Sequence, residues 1–263
     1  MFRKLVLAAG FAVSPFTVYA ATDEIQVYQG DITAPGVLNL TWHNNYTPSG
    51  LKDEEFPGAV IDNHTLSGVT EWAYGLTDWW EQGVYLPLYS HSDNLGWTYN
   101  GFKLRELFVL PHNEDRMFYA GVNFEFSWNE KQWDTRTNTG EIRPIIGVRI
   151  PQGFSLTINP IVDNSYIGFN RLEFVPAERL DYKVNDTWTV AAEAYQDFGQ
   201  LRRFLPADEQ WQQVWGVVDY GGDPVSIEAG VGFGLTPATD RLAIKLMIIT
   251  DLNGPHALFG PRQ

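Results

Sequence analysis

From about residue 35 onward the sequence alternates apolar with polar or small residues, and this period of two persists almost to its end. Successive side chains of a strand point to opposite faces, so this pattern builds strands with one apolar face. The clearest run sets Val225, Ile227, Ala229, Val231, Phe233 and Leu235 against Ser226, Glu228, Gly230, Gly232 and Gly234. A second sets Phe118, Ala120, Val122, Phe124, Phe126 and Trp128 against Tyr119, Gly121, Asn123, Glu125, Ser127 and Asn129. Residues 141–150, 154–163 and 241–248 repeat it. No stretch keeps a period of 3.6, so the chain is expected to be all-β.

Twelve strands are expected, at roughly 35–46, 69–76, 79–89, 100–110, 116–129, 139–150, 153–163, 169–183, 186–197, 209–219, 224–235 and 239–250. Most are as long as a tilted membrane strand needs, about 9–11 residues, and longer than the strands of most soluble sheets. Their links sort by length. Thr77-Asp78, Pro111 to Asp115, Pro151-Gln152, Val184-Asn185 and Tyr220 to Asp223 are short, and longer links such as 47–68, 90–99, 130–138 and 198–208 fall between them. Short turns at one end and longer loops at the other are the habit of a barrel in the outer membrane, and an even strand count brings both termini to the periplasmic side. The expected fold is therefore a single antiparallel up-and-down transmembrane β-barrel.

In such a barrel the apolar face meets lipid and the polar face turns inward, the reverse of a soluble sandwich. Aromatic residues at strand ends (Trp42, Tyr46, Trp79, Trp80, Tyr89, Trp128, Trp188, Phe198, Trp211, Tyr220) suit interfacial girdles. The charged residues expected to line the lumen are Glu71, Lys103, Arg105, Glu125, Glu141, Arg143, Arg149, Glu173, Arg179, Glu193, Asp197 and Glu228. They would suit the wet face of a sandwich equally well. Glu106 and Glu178 fall on the lipid face of this register, a costly place for a carboxylate.

The first twenty residues read as a signal peptide: Arg3 and Lys4, an apolar stretch from Leu5 to Val13, and a small-residue site at Val18-Tyr19-Ala20 with the cut before Ala21. Residues 21–263 would form the exported barrel, with a C-terminal tail at 251–263. With no cysteine there is no disulfide, thiol nucleophile or Cys-based zinc site. A net charge of −14 argues against nucleic-acid binding.

Several stretches resemble a known family: His43-Asn44-Asn45-Tyr46, Glu71 to Asp78, Glu141-Ile142-Arg143-Pro144, Asn159 to Asp163 and Gly230 to Thr236. Together they are similar to Gram-negative outer-membrane barrels, and more narrowly to the outer-membrane transporters grouped with MetA-pathway phenol-degradation proteins. The resemblance implies passage of small solutes, aromatic or hydrophobic ones among them. One departure is that the last strand ends near Thr250 without a terminal aromatic residue, and Phe259 lies in the tail.

Twelve strands is also the size of outer-membrane lipase barrels, which share a His-x-Ser pair. Here His91 stands between Ser90 and Ser92, and adjacent residues point to opposite faces of a strand. No histidine pair has metal-ligand spacing, and no cofactor is expected. The acidic loop residues Glu54, Glu55 and Asp62 read as a solvated loop before a Ca²⁺ site, and Arg202-Arg203 as a contact for lipopolysaccharide phosphates. The reading is a channel or passive transporter in the outer membrane, not an enzyme, whose partners are membrane lipid, lipopolysaccharide and a small solute. The alternatives are a non-conducting structural or binding barrel, a periplasmic ligand-binding β-protein and an outer-membrane lipase.

Overall fold

The computed structural model describes residues 23–164 and 171–258. The signal peptide at 1–20, its cleavage site and Phe259 lie outside the described residues.

The strands are β1 (Leu38–Ser49), β2 (Thr65–Gly75), β3 (Trp80–Ser92), β4 (Gly96–Val109), β5 (Phe118–Asn129), β6 (Asn138–Ile150), β7 (Phe154–Asn159), β8 (Val162–Asn164), β9 (Glu173–Phe174), β10 (Ala177–Lys183), β11 (Trp188–Asp197), β12 (Trp211–Tyr220), β13 (Val225–Gly234) and β14 (Leu242–Asp251). A 3-10 turn, Asn113–Asp115, lies between β4 and β5. β7 and β8 are one barrel strand interrupted at Pro160-Ile161, and β9 and β10 are one interrupted at Val175-Pro176. Proline has no N–H to give to a ladder, which accounts for both breaks. The barrel therefore has twelve staves, each antiparallel to its sequence neighbours.

Closure is made by β1 and β14, with Trp42 opposite Ile248, His43 opposite Met247 and Asn45 opposite Lys245. A closed sheet leaves no edge strand to expose its ladder groups, as a bilayer interior demands. Strand positions follow the sequence expectation to within a few residues, with one difference at 90–99. There β3 and β4 run on to Ser92 and Gly96 and meet in a three-residue turn, so that link is one of the shortest.

The wall is apolar outside and polar inside. In β14 Ile244 and Leu246 are 41% and 39% exposed, while Lys245 between them is fully buried. Glu125 is buried between the outward Phe124 and Phe126, and Arg143 between Ile142 and Pro144. Burial of this kind would be ruinous in a water-soluble sandwich and is required of a barrel in lipid. Aromatic side chains gather at the ends of the staves. Trp79, Trp80 and Phe108 stack with centroids 5.8–6.2 Å apart at one end. Phe154 packs on Tyr182 and Trp188 on Tyr220 at the same end, and Phe102 on Trp128 at the other. Trp211 departs from the girdle expectation: it shares the inward face of Gln213 and Trp215 and lines an internal cavity.

The two lipid-face carboxylates are accommodated locally. Glu106 accepts hydrogen bonds from Trp80 Nε1 and Gln82 Nε2, both 2.7 Å, and Glu178 accepts one from Gln196 Nε2 at 3.1 Å.

Candidate functional site

Residues 23–37, which precede β1, run through the inside of the barrel. Asp23, Glu24, Ile25, Val27, Tyr28 and Gly30 are all buried there. The segment enters beside the short turns, where Gly36 N–H donates to the Gly75 carbonyl at 2.8 Å and Thr33 N–H to Glu81 Oε2 at 2.6 Å. It reaches the half of the barrel that carries the longer loops, where Asn45 Nδ2 donates to the Asp23 carbonyl at 2.9 Å. By the usual sidedness of such turns and loops it rises from the periplasmic mouth toward the outer one.

Buried backbone groups need partners, and several of the segment's are met by a particular side chain of the wall. Asn159 bonds both backbone groups of Tyr28. Arg143 Nη1 donates to the Gln26 carbonyl at 3.1 Å, Lys245 Nζ to the Ile25 carbonyl at 3.1 Å and Asn113 Nδ2 to the Gly30 carbonyl at 3.0 Å. The apolar side chains of the segment are buried in different parts of the wall. Ile25 packs with Trp215, Val217 and Ala243, Val27 with Ile161 and Ala177, and Tyr28 with Leu107, Val109, Tyr119 and Ile145. Two glycines let the chain pass. Gly30 has φ +78°, and a Cβ there would stand 2.5 Å from Asn113 Nδ2. A Cβ on Gly75 would stand 2.3 Å from the Thr33 and Ala34 carbonyl oxygens.

Three charge networks surround this segment, and each is tied to it. In the first, Arg105 bridges Glu71 (2.6 Å) and Glu81, with His43 Nε2 3.1 Å from Glu71, and Glu81 also holds Thr33. In the second, Arg179 meets Asp181 (2.5 Å), Glu193 (2.5 Å), Glu228 (3.0 Å) and Asp219, while Lys245 lies 2.6 Å from both Glu193 and Glu228. Asp181 also accepts from Gln29 Nε2 at 2.5 Å. In the third, Lys103 pairs with Asp23 (2.8 Å) and Glu125 (3.8 Å), and Arg143 with Glu141 (2.5 Å) and, more distantly, Glu24 (3.9 Å). The Arg143 guanidinium also lies over the Tyr28 ring, 4.4 Å from its centroid.

Nine of the twelve charged residues named from the sequence fall in these networks. Of the others, Arg149 lies 4.3 Å over the Tyr119 ring and donates to the Asn113 and Arg116 carbonyls, Glu173 pairs with Arg136 at 3.5 Å, and Asp197 accepts the Gly199 N–H at 2.6 Å. Sequence reasoning missed Glu81, Asp181, Lys245, the Arg179 partner Asp219 and the segment itself. The first three had a signal, since each sits between outward residues in an alternating run.

Two cavities flank the segment. The outer one, about 260 Å³, has Asp23, Glu24, Ile25 and Gln26 as part of its lining, with walls from β5, β6, β8 and β9. The inner one, about 540 Å³, lies among Gln29, Asp31, Arg149, Asp181, Lys183 and Asp219. Over the outer mouth, the 50–64 loop packs on the β5–β6 loop: Val60 N–H donates to the Gln132 carbonyl at 3.0 Å, and Ala59 and Val60 are buried. Glu55 in this loop is pushed up to about 9 by burial, with Asp62, Asp134 and Asp197 adding to the effect. Asp62 is raised as well, by burial and by Asp240.

No family model matches the sequence, and no curated protein matches it either. Solved structures do. An outer membrane channel from Pseudomonas putida F1 superimposes with a TM-score of 0.60 at 11% identity, over 87% of this chain and 100% of that one. The KdgM porin, solved in complex with disordered oligogalacturonate, gives 0.52 at 7% identity, over 81% of this chain and 98% of that one. The fold is that of an outer-membrane β-barrel.

Within this outer-membrane barrel Ser90, His91 and Ser92 take opposite faces, as adjacent strand residues must. Ser90 and Ser92 point inward while His91 is exposed and packs on Trp97 at 4.8 Å. Ser90 instead exchanges hydrogen bonds with Thr98 (2.7 Å) and Asn100 (2.9 Å). Among the described residues one trio, His112, Glu114 and Asp115, brings three donor atoms within 4.8 Å of one another, all exposed in the β4–β5 turn.

Proposed function

We propose that the protein is an outer-membrane channel for small solutes whose lumen is closed at rest by its own N-terminal segment. The observation that carries this reading is the pair of internal cavities, one toward each mouth, separated by residues 23–34 held inside the wall. A barrel that served only as a structural element would not need cavities on both sides of such a strap. Of the charged residues named from the sequence, Lys103, Glu125, Glu141, Arg143, Glu173 and Asp197 line the outer cavity and Arg149 the inner one, and with acids in the majority there they favour cations by the electrostatics that govern other channels. The exposed apolar belt faces lipid. Arg202 and Arg203, exposed in the 198–210 loop, suit lipopolysaccharide phosphates.

A second reading, a non-conducting binding barrel, is favoured by the density of bonds on the segment. Planar-bilayer recording separates the two. The channel reading expects low conductance from the exported chain and stable larger steps from a variant lacking residues 23–34. A variant that inserts and stays silent would leave the binding barrel. Enzymatic function has no support in the arrangement of Ser90, His91 and Ser92.

A further inference from the structure

Four carboxylates stand in one row across four neighbouring staves. Glu125 on β5 is opposite Glu141 on β6, Glu141 is opposite Asp163 on β8, and Asp163 is opposite Glu173 on β9. All four line the outer cavity. Like charges directly opposite on neighbouring strands repel, so a row of this length calls for positive charge in front of it. The wall supplies part of it: Lys103 lies 3.8 Å from Glu125, Arg143 2.5 Å from Glu141 and Arg136 3.5 Å from Glu173. These three are the cavity's only cations among the described residues, against eight carboxylates.

Glu24 of the N-terminal segment also lines this cavity. Its side chain is only 3% exposed, yet neither carboxylate oxygen accepts a hydrogen bond, and Arg143 comes no closer than 3.9 Å. A buried carboxylate left in that state is costly. The Gln26 side-chain oxygen, in the same cavity, is likewise without a hydrogen bond. The lining also presents Trp133, Tyr195, Trp211, Ile161 and Val175, beside the polar Ser127, Asn129 and Thr139.

We infer that the outer cavity binds a small organic cation, an amine or guanidinium carrying an apolar or aromatic part. Its charge lies between Glu24 and the Asp163 region of the acidic row, and its apolar part lies against the aromatic lining, where a cation is also attracted to ring faces. A bare divalent ion is less suited, because among the described residues no three carboxylates of the row bring their oxygens within 4.8 Å of one another. At about 260 Å³ the cavity is slightly smaller than the ~300–1,000 Å³ of most ligand sites, which limits the solute to a small one. This inference rests on the channel reading and names its solute class. Because Glu24 belongs to the segment that closes the lumen, the solute would bind the closing element itself.

The test is calorimetric titration of the full exported chain in detergent, at pH 7 and low salt, with benzylamine, benzyl alcohol and benzoate. Benzylamine is expected to bind at least tenfold more tightly than benzyl alcohol, with benzoate giving no measurable heat. Glu24→Gln and Asp163→Asn are each expected to bring benzylamine about tenfold toward the alcohol, with heat-modifiable gel migration unchanged. Equal binding of amine and alcohol to the unmodified chain overturns the inference, as does full benzylamine affinity in both variants. Because binding is read without current, a barrel that binds benzylamine and never conducts fails only the channel reading. One that conducts without discriminating the amine fails only this inference.

Discussion

Asn159 holds both backbone groups of Tyr28, accepting its N–H at Oδ1 (2.7 Å) and donating from Nδ2 to its carbonyl (2.9 Å). A side-chain amide thus does for a strand inside the barrel what a neighbouring strand would do in a sheet. Asn159 is fully buried at the end of β7, next to the Pro160 interruption. Asn159→Ala removes two hydrogen bonds and leaves a buried N–H and carbonyl unmet, a cost of about 1–3 kcal/mol for each orphaned group. That energy is taken from the closed state. The expected outcome is more frequent opening in bilayer recordings of Asn159→Ala, with the barrel's own stability little changed.

Arg179 is the hub of the largest network, facing Asp181, Glu193, Asp219 and Glu228. Arg179→Met keeps much of the volume and strips the charge from among four carboxylates. Removing one partner of a buried ionic set costs roughly 3–5 kcal/mol. A clear fall in the urea midpoint of unfolding, followed by tryptophan fluorescence, is expected. Lys183→Met, an exposed partner of Asp186, serves as the control and should shift it little.

Arg143 joins the acidic row to the segment, touching Glu141, the Gln26 carbonyl and the Tyr28 ring. Arg143→Gln lowers the positive charge beside the path. In a salt gradient the reversal potential should move toward greater cation preference, and an unchanged potential would place the conducting path elsewhere.

Glu55 carries part of the loop's pH dependence, and Asp62, raised by burial and by Asp240, adds to it in the same direction. The folded pKa of Glu55, about 9, lies above its ordinary value of 4.5. A folded state that binds the proton more tightly than the unfolded one loses stability as pH rises between those values. Packing of the 50–64 loop should therefore weaken from about pH 5 to pH 9. Hydrogen-exchange protection factors of residues 55–64 would show it, and Glu55→Gln should make the profile shallower, with Asp62 supplying the remainder.

Much of the barrel was legible in the sequence, because in lipid one face of every strand must be apolar and the other is free to be charged. The run from Val225 to Leu235 could be assigned its outward face from alternation alone. The partners of the charged residues were not legible. Arg179 contacts residues up to 49 positions away, and those distances follow from stave order and register, which alternation does not carry. Residues 23–34 were missed for a different reason. Ile25 and Val27 alternate with Glu24 and Gln26 as a short strand would, but a segment with no ladder of its own takes its place from the side chains that receive it. Trp211 was misassigned to a girdle because an aromatic residue at a strand end reads the same whether it faces lipid or a cavity.

The central claim is that residues 23–34 close a lumen that is otherwise open. It is tested most directly by comparing single-channel conductance of the exported chain with that of a variant lacking residues 23–34, both refolded and shown by heat-modifiable migration to be closed barrels. Small or rare steps are expected from the first and stable, several-fold larger steps from the second. Equal conductance from the two, or none from either, would contradict it.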